Sequence, residues 1–245
     1  GAADSISLSV KDTTIEAGDT LRIEARVFVD GNLIHSDNSI YRHVMWEIVG
    51  SADSSNQLMY PVPGRSNNQS ALVTSTRAHQ CIKIKARYKG KIITNTAQVC
   101  IIPSQAHSVV VEQDSTPDLW TAQPWGVIAI ASTESSKVAF AFLRDRFGNL
   151  LPDGGKATLA TWTIQDPLIA TARGKADNLW IGNFSRASSG VTRVIVSQAH
   201  VPVPDTVEVH ISGNVSTQLQ IAQSGTYDAH ATVCLYDLQG RMVRF

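Results

Sequence analysis

An all-β chain of two consecutive β-sandwiches and a C-terminal hairpin is predicted by three observations. Apolar and polar residues alternate with a period of two, turn residues punctuate those runs, and one arrangement of turn, tryptophan strand and closing strand occurs twice. Gly31-Asn32-Leu33 is followed by Val44, Trp46 and Ile48, then by Ala97, Val99 and Ile101. Gly148-Asn149-Leu150 is followed by Ala160, Trp162 and Ile164, then by Val207, Val209 and Ile211. An offset of about 110 to 117 residues between the copies marks a duplicated module rather than one large domain.

The first strand reads from Leu21, Ile23, Ala25, Val27 and Val29 on one face, with Arg22, Glu24, Arg26 and Phe28 on the other. The same alternation predicts strands at Val44 to Ile48, Ile82 to Tyr88, Ala97 to Ile101, Val138 to Phe142, Ala160 to Ile164, Val194 to Val196 and Val207 to Ile211. Turns fall at Asp30-Gly31-Asn32, Lys89-Gly90-Lys91, Phe147-Gly148-Asn149 and Pro152-Asp153-Gly154-Gly155. No stretch keeps a 3.6-residue apolar period over three turns, so helix is expected to be scarce. Each sandwich is expected to bury one inward tryptophan, Trp46 or Trp162.

Proline ends the last strand of the first module at Ile102-Pro103, which places the boundaries at 1–103, 104–212 and 213–245. The second module departs from the first between Gln113 and Gly126, a loop with two prolines and the tryptophans Trp120 and Trp125. Tyr227 to Phe245 reads as a hairpin, which is marginal alone and needs a partner.

Length and charge bound the function. With 245 residues, 43% hydrophobic and 17% charged, the chain can build two cores of ordinary size. Lys plus Arg and Asp plus Glu both number 21, so no global field draws in nucleic acid. No apolar window approaches the roughly 18 residues of a membrane-spanning helix, so no membrane insertion is expected. The start, Gly1-Ala2-Ala3, suits a processed or recombinant mature fragment.

Cysteine supplies the most testable chemistry. Cys81 shares the polar side of its strand with Lys83, Lys85 and Arg87, and Cys100 shares that of the next strand with Gln98. A turn centred near Gly90 sets the two opposite each other, at Cα separations of roughly 4.5 to 5.5 Å that a disulfide can bridge. A Cys81–Cys100 bond on the outer face is expected, with two free exposed thiols as the alternative, and it implies an oxidising compartment. Cys234 has no evident partner and reads as a packed thiol.

The run from Phe142 to Leu150, with Asp145-Arg146-Phe147-Gly148-Asn149, and the run Trp162-Thr163-Ile164-Gln165-Asp166-Pro167-Leu168-Ile169-Ala170 resemble bacterial immunoglobulin-like repeats. In that family a "D-x-x-G-N" turn precedes a "W-x-x-x-D-P-x-I-A" segment. The resemblance covers about residues 105 to 212, and the first module weakly, since it lacks the "D-P". It implies immunoglobulin-like sandwiches from surface adhesins, secreted fibre-associated proteins or spacers of polysaccharide-degrading enzymes. The segment from Ala231 to Val243 is similar to the start of the C-terminal sorting domains of type IX-like secretion, with a plain structural hairpin as the alternative.

Candidate sites are few. Trp120, Trp125 and Trp180 fall in or near loops and are candidates for a carbohydrate platform; packing against the neighbouring module is the competing reading for Trp120 and Trp125. Asp145, Asn149 and Asp153 crowd one turn, either as ordinary turn formers or as calcium ligands. Histidines are scattered without zinc spacing, and no nucleophile elbow, phosphate loop or His-Glu-x-x-His motif is present. Neither enzyme activity nor a cofactor is expected. Given the resemblance to bacterial repeats, the sequons at Asn68, Asn183 and Asn214 are treated as chance. The first expectation is a non-catalytic spacer or adhesive stalk, secreted or at the cell surface, whose partners are neighbouring domains. The alternative is a carbohydrate-binding accessory module of a polysaccharide-degrading enzyme.

Overall fold

The computed structural model describes residues 3–35, 38–50, 53–89, 91–92, 96–213, 235–236 and 242–243. The first module contains β1 (Ser5–Leu8), β2 (Asp12–Glu16), β3 (Thr20–Val29), β4 (Asn32–Leu33), β5 (Val44–Val49), β6 (Asn56–Met59), β7 (Ser70–Ser75), β8 (Gln80–Tyr88), β9 (Lys91–Ile92) and β10 (Ala97–Ile102). Its two sheets run β1-β3-β7-β6 and β2-β10-β8-β5, with β4 paired to β3 and β9 to β8. The second module contains β11 (Ser108–Glu112), β12 (Val127–Ile130), β13 (Ser136–Arg144), β14 (Thr161–Ile164), β15 (Ala170–Lys175), β16 (Asn178–Arg186), β17 (Gly190–Ser197) and β18 (Asp205–Ile211). Its sheets run β11-β13-β16-β15 and β12-β18-β17-β14, the same path as in the first module.

Both modules change sheets early. β1 pairs antiparallel with β3, whereas β2 pairs parallel with β10; β11 and β12 do the same with β13 and β18. In the first module the switch takes Ser9 to Lys11, and in the second it takes the whole Gln113–Gly126 loop. Helix is confined to α1 (Asn38–Tyr41) and a 3-10 turn at Asp153–Gly155 among the described residues.

Each module has its own core. Ile23, Ala25 and Val27 are fully buried together with Trp46, whose indole donates to the Asn68 carbonyl at 2.8 Å. Trp162 is buried in the second core and donates to the Leu179 carbonyl at 2.7 Å. Gly182 makes room for it, since a Cβ there would lie 2.6 Å from the Trp162 ring. That glycine interrupts the apolar alternation of β16, which is why the sequence announces the strand weakly.

Cys81 and Cys100 are register partners in β8 and β10, joined by a disulfide with Cα atoms 3.9 Å apart. This is closer than the expected 4.5 to 5.5 Å of an opposed pair. Their neighbours Ile82 and Val99 point inward, so the bond lies on the outer face as expected. It closes a loop of sequence separation 19, and replacing both cysteines by serine is expected to cost about 2–3 kcal/mol through the larger entropy of the unfolded chain. Urea unfolding of this variant, against the oxidised and reduced parent, checks the figure.

In the third region, β19 (Leu235–Tyr236) and β20 (Met242–Val243) pair antiparallel as the hairpin reading requires. Cys234, the Asn214 sequon and most of the segment that resembles a sorting domain lie outside the described residues.

Candidate functional site

Between the two cores, the turn that follows β7 meets the turn that follows β13. Asn149 sits at this meeting point, 2% exposed. Its Oδ1 accepts from the Ala78 N–H at 2.9 Å, while its Nδ2 donates to the Thr76 carbonyl and to Asp145 Oδ2, both at 2.9 Å. One planar amide thus reads a donor and an acceptor of the other module as a peptide edge would.

Asp145 holds the knob from behind. Its Oδ1 accepts from the Phe147 and Asn149 N–H groups, and its Oδ2 from Ser104 N–H, Ser104 hydroxyl and Asn149. The carboxylate therefore fixes the turn and the linker together. Asn149 turns its amide nitrogen, not its oxygen, toward Asp145, which is hydrogen-bonding turn geometry rather than an oxygen cage. Asp153 is exposed in the following 3-10 turn. Among the described residues no group of three His, Cys, Asp or Glu side chains is arranged to hold a metal ion.

Contacts around Asn149 widen the joint. His79 Nε2 lies 2.6 Å from the Leu150 carbonyl, and because a carbonyl only accepts, this nitrogen carries the proton. Phe147 packs onto the first core and against Gly18, whose φ of +88° and the 2.5 Å approach of a Cβ to the ring both require glycine. Trp120 donates its indole N–H to the Ala78 carbonyl at 2.7 Å, with the Arg77 guanidinium 4.0 Å from its ring centroid. Arg77 in turn pairs with Asp53 at 2.8 Å.

The three sequence-selected tryptophans part company. Trp120 packs against the neighbouring module and its polar atom is consumed there. Trp125 is half-buried against the second core and lines a cavity inside the Gln113–Gly126 loop. Trp180 requires a correction: it stands inside β16, 9% exposed, tilted against Phe140 and Phe142, and offers no open platform. Thr76, Arg77, Ala78 and His79 escaped notice because nothing in their composition distinguishes a docking turn from any other.

The loop that carries Trp120 and Trp125 is anchored by Arg144. This side chain is 1% exposed and pairs with Glu112, itself 3% exposed, at 2.8 Å. It also donates to the carbonyls of Gly148 and Asp118 at 2.9 Å and of Thr121 at 3.4 Å. Asp118 caps the N–H groups of Trp120 and Thr121, both at 2.8 Å, and these bonds hold its carboxyl below the ordinary 3.8. The Ser55 backbone N–H, 2.9 Å from Asp53 Oδ1, and then Arg77 lower Asp53 likewise.

Folded-state values that are depressed contribute stability above the unfolded value, and that contribution is lost as pH falls through the folded one. The melting midpoint is therefore expected to hold down to about pH 5 and to fall below it. Asp118→Asn should shrink that fall, measured by thermal unfolding across pH.

No protein-family model matches the chain. No curated protein matches it either. Among solved structures, the chain is similar to the Escherichia coli adhesin FdeC at 13% identity and a TM-score of 0.44, over 87% of this chain and 66% of that one. It is similar to the D00-D0 domain of intimin at 13% identity and 0.43, over 84% and 99%. The Yersinia pseudotuberculosis adhesin InvE gives 9% identity and 0.38, over 89% and 65%. The chain thus spans less than two thirds of the FdeC and InvE chains.

Proposed function

We propose that this chain is a non-catalytic spacer of a secreted or cell-surface bacterial protein, holding the parts of a longer polypeptide at a fixed distance and angle. The observation that carries this reading is the clamp of the Asn149 amide on Thr76 and Ala78. Flexibly tethered modules have no use for a buried, fully paired asparagine at their boundary, whereas a rigid pair needs one to fix its orientation. The disulfide on the outer face supports an oxidising surrounding. Among the described residues no helix is long and apolar enough to cross a membrane.

Strand direction supports the mechanical side of the proposal. In each module an early strand and the last strand run parallel as neighbours, β2 with β10 and β12 with β18. Pulling the two ends apart loads that ladder in shear, so its hydrogen bonds share the force instead of opening one at a time. Residual dipolar couplings of the full chain test the rigid pair. A single alignment tensor is expected to fit both modules; two unrelated tensors in the parent protein would reject the spacer reading.

A further inference from the structure

A cavity of about 610 Å³ opens within the Gln113–Gly126 loop, and no lysine, arginine or histidine lines it. Its walls bring together Trp125, Pro124, Gln113, Thr116, Asp114 and Asp118. Glu112 also borders it, but Arg144 neutralises that charge from behind. The indole N–H groups of Trp46, Trp120 and Trp162 each have a backbone acceptor, whereas those of Trp125 and of the core residue Trp180 have none among the described residues. One aromatic face with a free donor therefore stands in a polar cleft of ligand size.

We infer that this cleft is a subsite for a neutral saccharide. A pyranose presents flat C–H faces that stack on an indole, and rings of hydroxyls that pair with planar side chains such as carboxylates and carboxamides. Trp125 and Pro124 supply the first kind of surface, and Asp114, Asp118 and Gln113 the second. Glycans bearing carboxylate, sulfate or phosphate are disfavoured, because Asp114 and Asp118 face the cavity while Arg77 and Arg144 are engaged with Asp53 and Glu112.

The loop is also held in shape before any ligand arrives. Arg144 ties down Asp118 and Thr121, and Asp118 caps Trp120 and Thr121, so little ordering is left to be done on binding. With Trp120 consumed at the joint and Trp180 in the core, only one ring serves the site. Recognition is therefore of one sugar unit, and dissociation constants of about 1 mM are expected.

The test is an NMR titration of the full chain with the hexaoses of cellulose, xylan, mannan and chitin, beside a chitosan hexaose and a hyaluronan oligomer. Saturable shifts with at least one neutral hexaose are expected, weakened about 10-fold or more by Trp125→Ala and by Asp114→Ala. Asp114 is exposed and no side chain pairs with it among the described residues, so that variant does not depend on the core. The inference fails if no neutral hexaose binds, if both variants bind as the parent does, or if only the chitosan amine binds, which would mark a charge trap. The inference does not rest on the spacer reading: one alignment tensor with a silent cleft rejects the subsite alone.

Discussion

Arg144→Met is expected to lower the unfolding free energy of the second module by about 3–5 kcal/mol, the range for breaking a buried ion pair from one side. The loss of attraction is the smaller part. With the guanidinium gone, the Glu112 carboxylate stays in an interior where its remaining partner is the Gln123 N–H at 3.4 Å. The carbonyls of Gly148, Asp118 and Thr121 lose their donor as well. A double replacement, Arg144→Met with Glu112→Leu, should recover much of the stability, because two apolar side chains of similar size leave no uncompensated charge. Urea unfolding of the parent, both single variants and the double variant gives the coupling energy directly. A cost below about 1 kcal/mol for Arg144→Met would show the pair to be dispensable.

Asn149→Leu is expected to unlock the joint at a cost of about 2–4 kcal/mol. Two groups of the first module, the buried Ala78 N–H and the part-buried Thr76 carbonyl, lose their partner, and a fully buried orphan costs about 1–3 kcal/mol. Opening the joint lets water reach both groups and holds the cost to the lower part of that sum. It also frees the modules to turn, so the single alignment tensor expected of the parent should split in two. Trp120→Phe makes the milder companion, losing only the bond to the Ala78 carbonyl, about 1 kcal/mol. If Asn149→Leu leaves both the unfolding curve and the tensor unchanged, the joint is held by other contacts, such as that of Phe147 on Gly18.

These two expectations concern residues that the sequence flagged for different reasons or not at all. Asn149 entered as a turn former and a calcium alternative, and its buried amide proved to hold the neighbouring module. Arg144 entered only as one residue of the run from Phe142 to Leu150. Its burial is intelligible only with the Gln113–Gly126 loop folded over it, which composition alone does not reveal. β6, β7, β12, β15 and β16 went unread; edge position is not the reason, since β7 and β16 are central while the edge strands β5 and β14 were read.

By itself the sequence determined what period-two alternation and turn chemistry can encode: the inward face of β3, where Trp46 and Trp162 go, and that Cys81 meets Cys100, though in β13 Ala139 and Ala141 face inward and Val138 outward. Those features depend on neighbours along one strand or across one hairpin. Tertiary structure alone decided the fates of Trp120, Trp125 and Trp180 and the grip of Asn149 on the preceding module. The contacts of Trp120 and Asn149 join residues 42 to 73 positions apart, and their partners are backbone groups, which every sequence possesses and no side-chain pattern announces.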